Sequence, residues 1–391
     1  MYFQTLDDKS ECVGVYADGT LHFDKIPEGL TKTWKYTGSI QAPDIEYAWL
    51  YAGGATLEQS CPIGLKEDWE RCHKRFAAYR RAFEIGKIDL REHCFFDLVP
   101  ASFLEDFCEV KNKISEHVFE IHDRPENYEL LSSFQKLIHK IRHQNLNLNK
   151  EGCRELYHTT VGRRKANELM KSYYYIDYNL FGTVTGRLTT RRNSFPILTL
   201  KKEFRKLVKP HNDWLISLDY NGAEVRTLLH LCGHEQPSVD IHDWNVKHLF
   251  NNDVDRDTAK TLFFGWLYNP ESDAIKTKYY DRKKVLDKWY DGEYISTPYN
   301  RKIKVDERRA LNYLIQSTTS DRVLSRAVEI DKFLEGKKSF VSHIVHDEVV
   351  IDFCDEEREL LIEVKDIFET DDYKTNIQAG KNYLELEELK V

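Results

Sequence analysis

The chain has 391 residues, 41% of them hydrophobic and 13% aromatic, which is enough to fill two or three domain cores. A mean hydropathy of −0.60 and the lack of a long apolar run exclude a membrane span. No signal-peptide pattern follows Met1. The eight cysteines are scattered without a CxxC pair, which fits free thiols in a reducing compartment rather than a disulfide framework. Cys61, Cys72, His73, His93 and Cys94 lack a standard zinc spacing, so buried thiols are expected there.

Residues 1–64 read as a small β-rich region, with Asp18-Gly19 between alternating residues as a hairpin turn. From 65 to 160 the pattern is helical, with helices predicted at 65–86, 101–119 and 127–143. Lys111, Lys113, Lys136, Lys140 and Arg142 there are either phosphate contacts or ordinary surface cations. Glycine and proline are sparse and no repeat appears, so no flexible linker separates the parts. The net charge of −8 is unevenly spread. Between 181 and 210 eight Lys/Arg face one acid, whereas 355–391 carries twelve acids against five bases. Such asymmetry lets a basic face track phosphates while an acidic tail faces away, although a solvated surface accounts for the tail equally well.

The organising stretch runs from Trp214 to Leu231. Leu215–Leu218 reads as a buried strand ending at Asp219, and a Tyr220-Asn221-Gly222 break leads into a helix. On that helix Val225, Leu228, Leu229 and Cys232 share one face, which Glu224 and Arg226 leave. Asp219 is therefore either a helix cap or a rigidly held metal ligand. Further on, Arg256, Lys260, Phe264 and Tyr268 recur every fourth residue along a predicted helix, with Leu262, Phe263, Trp266 and Leu267 expected to pack inward. Two cations followed by two aromatics suit a phosphate chain and a stacked base. Asn252, Asp253 or Asp255 would cap this helix and direct its positive end at the phosphates. From Phe340 two apolar runs flank His346-Asp347-Glu348, which puts a second carboxylate pair at a hairpin tip.

The order of carboxylate strand, cationic-aromatic helix and carboxylate hairpin resembles motifs A, B and C of the DNA polymerase I family, family A. Thr185-Gly186-Arg187-Leu188-Thr189 is similar to its TGRL element, and Asp240-Ile241-His242 to its DIH. Thr297–Lys302 stands where the family has a basic turn, and Arg309–Gln316 resembles the helix before motif C. The likeness covers roughly residues 160–391. It implies an α+β fold shaped as a right hand: a palm of antiparallel sheet plus helices over 161–391, helical fingers at about 235–310, and a helical thumb over 65–160. Asp44-Ile45-Glu46 is similar to the first motif of a proofreading exonuclease, but too little chain follows for a working one.

By this resemblance the chain is a template-directed DNA polymerase using deoxynucleoside triphosphates and primer-template DNA, with no membrane partner and an unidentified processivity or replisome partner. Asp219, Asp347 and the backbone carbonyl of Tyr220 would hold two Mg²⁺, for which Mn²⁺ substitutes, with Glu348 behind them or merely at the surface. Two such ions about 3.5–4 Å apart lower the attacking hydroxyl's pKa and neutralise the leaving oxygens. The two aspartates meet if their strands are neighbours in one antiparallel sheet. The resemblance assigns the triphosphate to His242, Arg256 and Lys260, with Lys260 also supplying a proton to the leaving pyrophosphate. Phe264 and Tyr268 would pack on the nucleotide and template, and Glu224 would act as steric gate against a 2′-hydroxyl. Arg187, Asn312, Gln316 and His346 would touch the primer-template through the minor groove, which checks shape without reading sequence.

Phe263, Asn269 and Asn221-Gly222 depart from the commoner family residues, and the intervals from Asp219 to Lys260 and on to Asp347 are short. Trimmed fingers and the missing exonuclease point to a phage, plasmid or other mobile replicon acting in a bacterial or phage-infected cytoplasm. Two other readings are a single-subunit RNA polymerase and an inactive DNA-binding accessory protein. Glu224 with the TGRL and DIH elements argues against the first; retention of Asp219, Lys260 and Asp347 argues against the second.

Overall fold

Alternation on either side of Asp18-Gly19 closes a hairpin, because both turn residues take the positive φ (51° and 73°) that a tight two-residue turn requires. In the computed structural model, which describes residues 1–7, 14–23, 25–40, 42, 44–90, 92–192 and 194–389, this turn joins β2 (Val15–Ala17) to β3 (Thr20–His22). β1 (Phe3–Thr5) pairs with the other edge of β2, while β4 (Lys32–Thr33) and β5 (Glu46–Tyr47) form a separate parallel pair. Helices α1 (Lys66–Ile85), α2 (Ala101–Ile121) and α3 (Tyr128–His143) complete a first unit, Met1–His143. Along α2 Phe103, Phe107, Val110, Ile114 and Val118 recur at helical spacing and are buried, each such side chain stabilising by about 1.5–3 kcal/mol. Cys72 and Cys108 are buried free thiols of this unit. Lys111 lies over the Phe107 ring, 5.5 Å from its centre, and Lys113 pairs with Glu109 at 3.1 Å, so these two cations are engaged locally. Glu46 accepts from Tyr51 Oη at 2.6 Å and pairs with Arg124 at 3.5 Å, whereas Asp44 is exposed.

The second unit, Gln144–Val391, is built on a five-stranded antiparallel sheet. Its first strand, β6 (Trp214–Tyr220), leads into α4 (Ala223–Leu231), α5 (Ile241–Leu249) and α6 (Arg256–Tyr268). The hairpin β7 (Tyr294–Ser296) and β8 (Lys302–Lys304) then precedes the long helix α7 (Glu307–Phe333). β9 (Phe340–Val345), β10 (Glu348–Phe353), α8 (Leu360–Phe368), β11 (Thr375–Gly380) and β12 (Glu387–Glu388) finish the chain. The sheet order is β9-β10-β6-β11-β12, so the apolar strand ending at Asp219 lies between two partners. Burial of Leu215, Ile216 and Leu218 explains why that run lacks alternation. With helices and an antiparallel sheet segregated in this way the fold is α+β.

Helix α7 packs against α4, α8 and the sheet. Its centre, Ser317 to Arg322, is six consecutive polar residues, all buried. Each link there joins a distant segment: Thr227 and Thr319 share a hydroxyl hydrogen bond at 2.8 Å, Ser320 donates to the Gly186 carbonyl at 3.1 Å, and Asp321 accepts from Arg301. Such pairing offsets the cost of burying Thr319, Ser320 and Asp321, while the Ser317 and Thr318 hydroxyls find no partner among the described residues.

Candidate active site

Register places the two aspartates together. β6 runs antiparallel to β10 with Asp219 opposite Glu348, and to β11 with Asp219 opposite Asn376. Asp347 sits in the two-residue turn just before Glu348, and His346 takes φ 57° to make that turn. Asp219 and Asp347 border one cleft of about 310 Å³, together with Arg187, Glu224, His242, Arg256, Lys260, Phe264 and His346. Burial first, then the Asp347 and Glu348 charges, push the Asp219 carboxyl up to about 7 against the pull of Asn376 and Lys260. Burial also raises Asp347. Two partly desolvated carboxylates bordering one cleft hold their charged forms more readily when a cation sits between them.

Among the described residues no group of three or more His, Cys, Asp or Glu is gathered as a metal cluster. Two carboxylates with a carbonyl nevertheless fit Mg²⁺, which commonly takes one or two protein carboxylates and completes its shell with water and phosphate. Tyr220 borders the cleft while its ring stacks on Phe368 at 4.2 Å and its hydroxyl donates to the Phe368 carbonyl at 2.7 Å. Glu348 is held in the sheet rather than at the surface: its carboxylate accepts from Ser217 Oγ at 2.5 Å and from Tyr383 Oη at 2.6 Å.

Of the three candidate caps for α6, Asp255 accepts from the Thr258 amide at 2.8 Å. Arg256, Lys260 and Phe264 then reach the cleft from successive turns, and Tyr268 stacks on Phe264 with ring centres 5.8 Å apart. Phe263, Trp266 and Leu267 are buried as expected, but Leu262 is 45% exposed. The stripe facing the cleft and the stripe facing the core leave Leu262 on neither. His242, in the first turn of α5, is buried, and its Nδ1 lacks a hydrogen-bond partner among the described residues. Burial pulls this imidazole down to about 4, with Lys260 and Arg256 adding to the effect. Glu224 accepts from both Arg187 Nη2 and Tyr268 Oη, so one carboxylate ties the TGRL loop to α6. Asn312 and Gln316 lie half-buried on α7 and do not border the cleft; Asn312 Oδ1 is buried without a partner among the described residues.

Gly222 and Arg226 have roles here that their place in the sequence, a turn and the outer face of a helix, did not indicate. Gly222 has φ 69°, and a Cβ there would come within 2.4 Å of Ile241 Cγ2, so only glycine lets α5 approach β6 this closely. Arg226 leaves the apolar face of α4 yet is fully buried. It donates to the carbonyls of Asn221, Pro237 and Val239 at 2.8–2.9 Å, threading the loop before α5. Burial lowers its pKa to about 10. A lone arginine on a helix gives no hint of carbonyls arriving from eleven and thirteen residues away.

No protein-family model matches the chain. It is 26% identical over 227 residues to the thermostable DNA polymerase I of Thermus aquaticus, an alignment covering 45% of this chain and 27% of that protein. It is 28% identical over 226 residues to DNA polymerase I of Lactococcus lactis subsp. lactis, covering 44% and 26%. The match thus spans about a quarter of these relatives' length. Among solved structures it is similar to the POL domain of Pol1 from M. smegmatis in complex with DNA primer-template and dNTP. The TM-score is 0.57 and the identity 15%, over 73% of this chain and 76% of that one.

Proposed function

Because the chain is a relative of the DNA polymerase I family, family A, we propose that it is a template-directed DNA polymerase extending a primer 3′-hydroxyl with deoxynucleoside triphosphates. The observation that carries this reading is the meeting of Asp219 and Asp347 in one cleft with His242, Arg256 and Lys260. Asp219, Asp347 and the Tyr220 carbonyl would hold Mg²⁺, or Mn²⁺ in its place, and when bound such ions activate the primer hydroxyl and neutralise the leaving phosphates. Arg256 offers a planar fork and Lys260 a point charge to the triphosphate, and Lys260 can give the leaving pyrophosphate its proton. Neutral His242 can donate one ring N–H to the same chain of phosphates. Phe264 supports the nucleotide and Tyr268 the template side. Arg187, Asn312, Gln316 and His346 meet the primer-template near its growing end. Glu348, locked by Ser217 and Tyr383, adds negative charge behind Asp219 rather than a ligand.

In the hand description 65–160 is the thumb and 161–391 the palm and fingers, with 1–64 a β-rich region that shares the compact unit Met1–His143 with the first helices. We assign no working exonuclease to it: Glu46 is committed to Tyr51 and Arg124. Trimmed fingers suit a phage or other mobile replicon. The test is extension of a labelled primer-template with Mg²⁺, supplying deoxy- or ribonucleotides to the parent and to Asp347→Ala. Extension by deoxynucleotides that vanishes in the variant is expected. Ribonucleotide extension would turn the reading to an RNA polymerase, and duplex binding without extension to an accessory protein.

Glu224 as gate gives a second expected result. Glu224→Ala should weaken discrimination against ribonucleotides roughly 10- to 100-fold, the range for one steric contact in a pocket. Unchanged discrimination, measured as the ratio of kcat/KM for the two sugars, would remove Glu224 from that role.

A further inference from the structure

Asp240 is engaged from every side. Its Oδ1 caps α5, accepting from the amides of His242 at 2.8 Å and Asp243 at 3.0 Å. Arg256 grips both oxygens, Nε to Oδ1 at 3.2 Å and Nη2 to Oδ2 at 2.7 Å. Asn221 Nδ2, two residues beyond Asp219, donates to Oδ2 at 2.7 Å, and Asn221 Oδ1 accepts from the Ile241 amide at 2.8 Å. One carboxylate therefore joins the loop after the catalytic strand, the start of the His242 helix and the first residue of α6. Gly222 permits this approach, since a Cβ there would strike Ile241. The chain's Asn221-Gly222 pair thus serves a single geometry. A bidentate carboxylate fixes the plane of a guanidinium, which an arginine otherwise free on an exposed helix end lacks.

Resting on the polymerase reading above, we propose that Asp240 is a positioning residue for the triphosphate: it orients Arg256 and His242 toward the cleft and locks both to the Asp219 strand through Asn221. It touches no substrate. Its removal loosens Arg256 and weakens nucleotide binding, while the chemical step at Asp219 and Asp347 changes little.

The test uses the full chain and Asp240→Ser, because serine retains the cap of α5 but cannot clamp a guanidinium. Asp240→Asn serves as the conservative second variant, and thermal melting confirms that each is folded. KM for a deoxynucleotide is expected to rise about 10-fold in Asp240→Ser, as for a lost charge-assisted bidentate contact, with kcat within about 2-fold of the parent. Asp240→Asn should lie between. In an Arg256→Ala background Asp240→Ser should add far less, because the guanidinium it clamps is gone and serine still caps α5 at His242. Equal losses in both backgrounds, or a fall in kcat at unchanged KM, would overturn the inference alone. A parent that incorporates no deoxynucleotide would overturn the polymerase reading and this inference with it.

Discussion

Asp219→Asn is expected to abolish primer extension and, in the same protein, to raise the melting temperature. The two effects have one cause. Asp219 is largely withdrawn from water and then faces the Asp347 and Glu348 charges, so its charged form is disfavoured in the folded protein and its pKa is pushed up to about 7. A carboxyl whose folded pKa lies above its unfolded one binds more protons when folded, so it lowers stability progressively as pH rises from about 4 to about 7. Neutral Asn removes that penalty, on the order of 4 kcal/mol or roughly 8–16 °C for a unit of this size. The gain should be absent near pH 4 and complete above pH 7. Loss of Asp219 as the divalent-ion ligand proposed above should cost about 4 kcal/mol of transition-state stabilisation, roughly 10³-fold in rate. Millimolar Mg²⁺ should stabilise the parent and not the variant. Thermal melts with and without Mg²⁺, run beside the extension assay, check all of this. A variant less stable than the parent at pH 8, or one still active, would refute the account.

The largest loss of stability is expected from Asp321→Ala. Asp321 is fully buried and accepts from Arg301 Nη2 at 2.6 Å and Nε at 2.9 Å, and the guanidinium itself is nearly buried. Removing one partner strands a buried charge, which costs about 3–5 kcal/mol and roughly 10 °C in melting temperature. Damage should spread to the site. Gly186 closes on the Arg301 guanidinium, where a Cβ would meet it at 2.7 Å, and Arg187 follows directly. The paired change Asp321→Leu with Arg301→Met should recover much of the stability, since apolar isosteres often replace buried ion pairs without loss. Calorimetry of the single and double variants decides it: a single variant within about 1 kcal/mol of the parent would mean that Arg301 finds another partner.

Local chemistry in the sequence sufficed wherever a signal was periodic or confined to a few adjacent residues. Leu215–Leu218 announced a buried strand because burial of both faces leaves a mostly apolar run, in which Ser217 is the exception and bonds to Glu348. The turn at His346-Asp347 and the hairpin at Asp18-Gly19 followed from residues that tolerate positive φ. The fourfold spacing of Arg256, Lys260, Phe264 and Tyr268 fixed one face of a helix, with Asn252, Asp253 and Asp255 as candidate caps among which only the structure selects Asp255. Those regularities place Asp219 and Asp347 at strand ends; they do not make the strands neighbours. Pairing register did that, through cross-strand hydrogen bonds whose partners lie far apart in the chain. The same holds for every polar residue whose role is set by an arriving backbone or charge. Arg226 looked like a helix's outer face and is buried by carbonyls of a later loop. The polar run Ser317–Arg322 lies inside the protein on α7, where Thr227, Gly186, Arg301, Thr370 and Asp371 arrive to pair with Thr319, Ser320, Asp321 and Arg322. Leu262, apolar, is left outside. Hydrophobic period fixes which face of an element turns inward, whereas a buried hydrogen bond is satisfied only by a particular partner, and only the tertiary structure brings that partner.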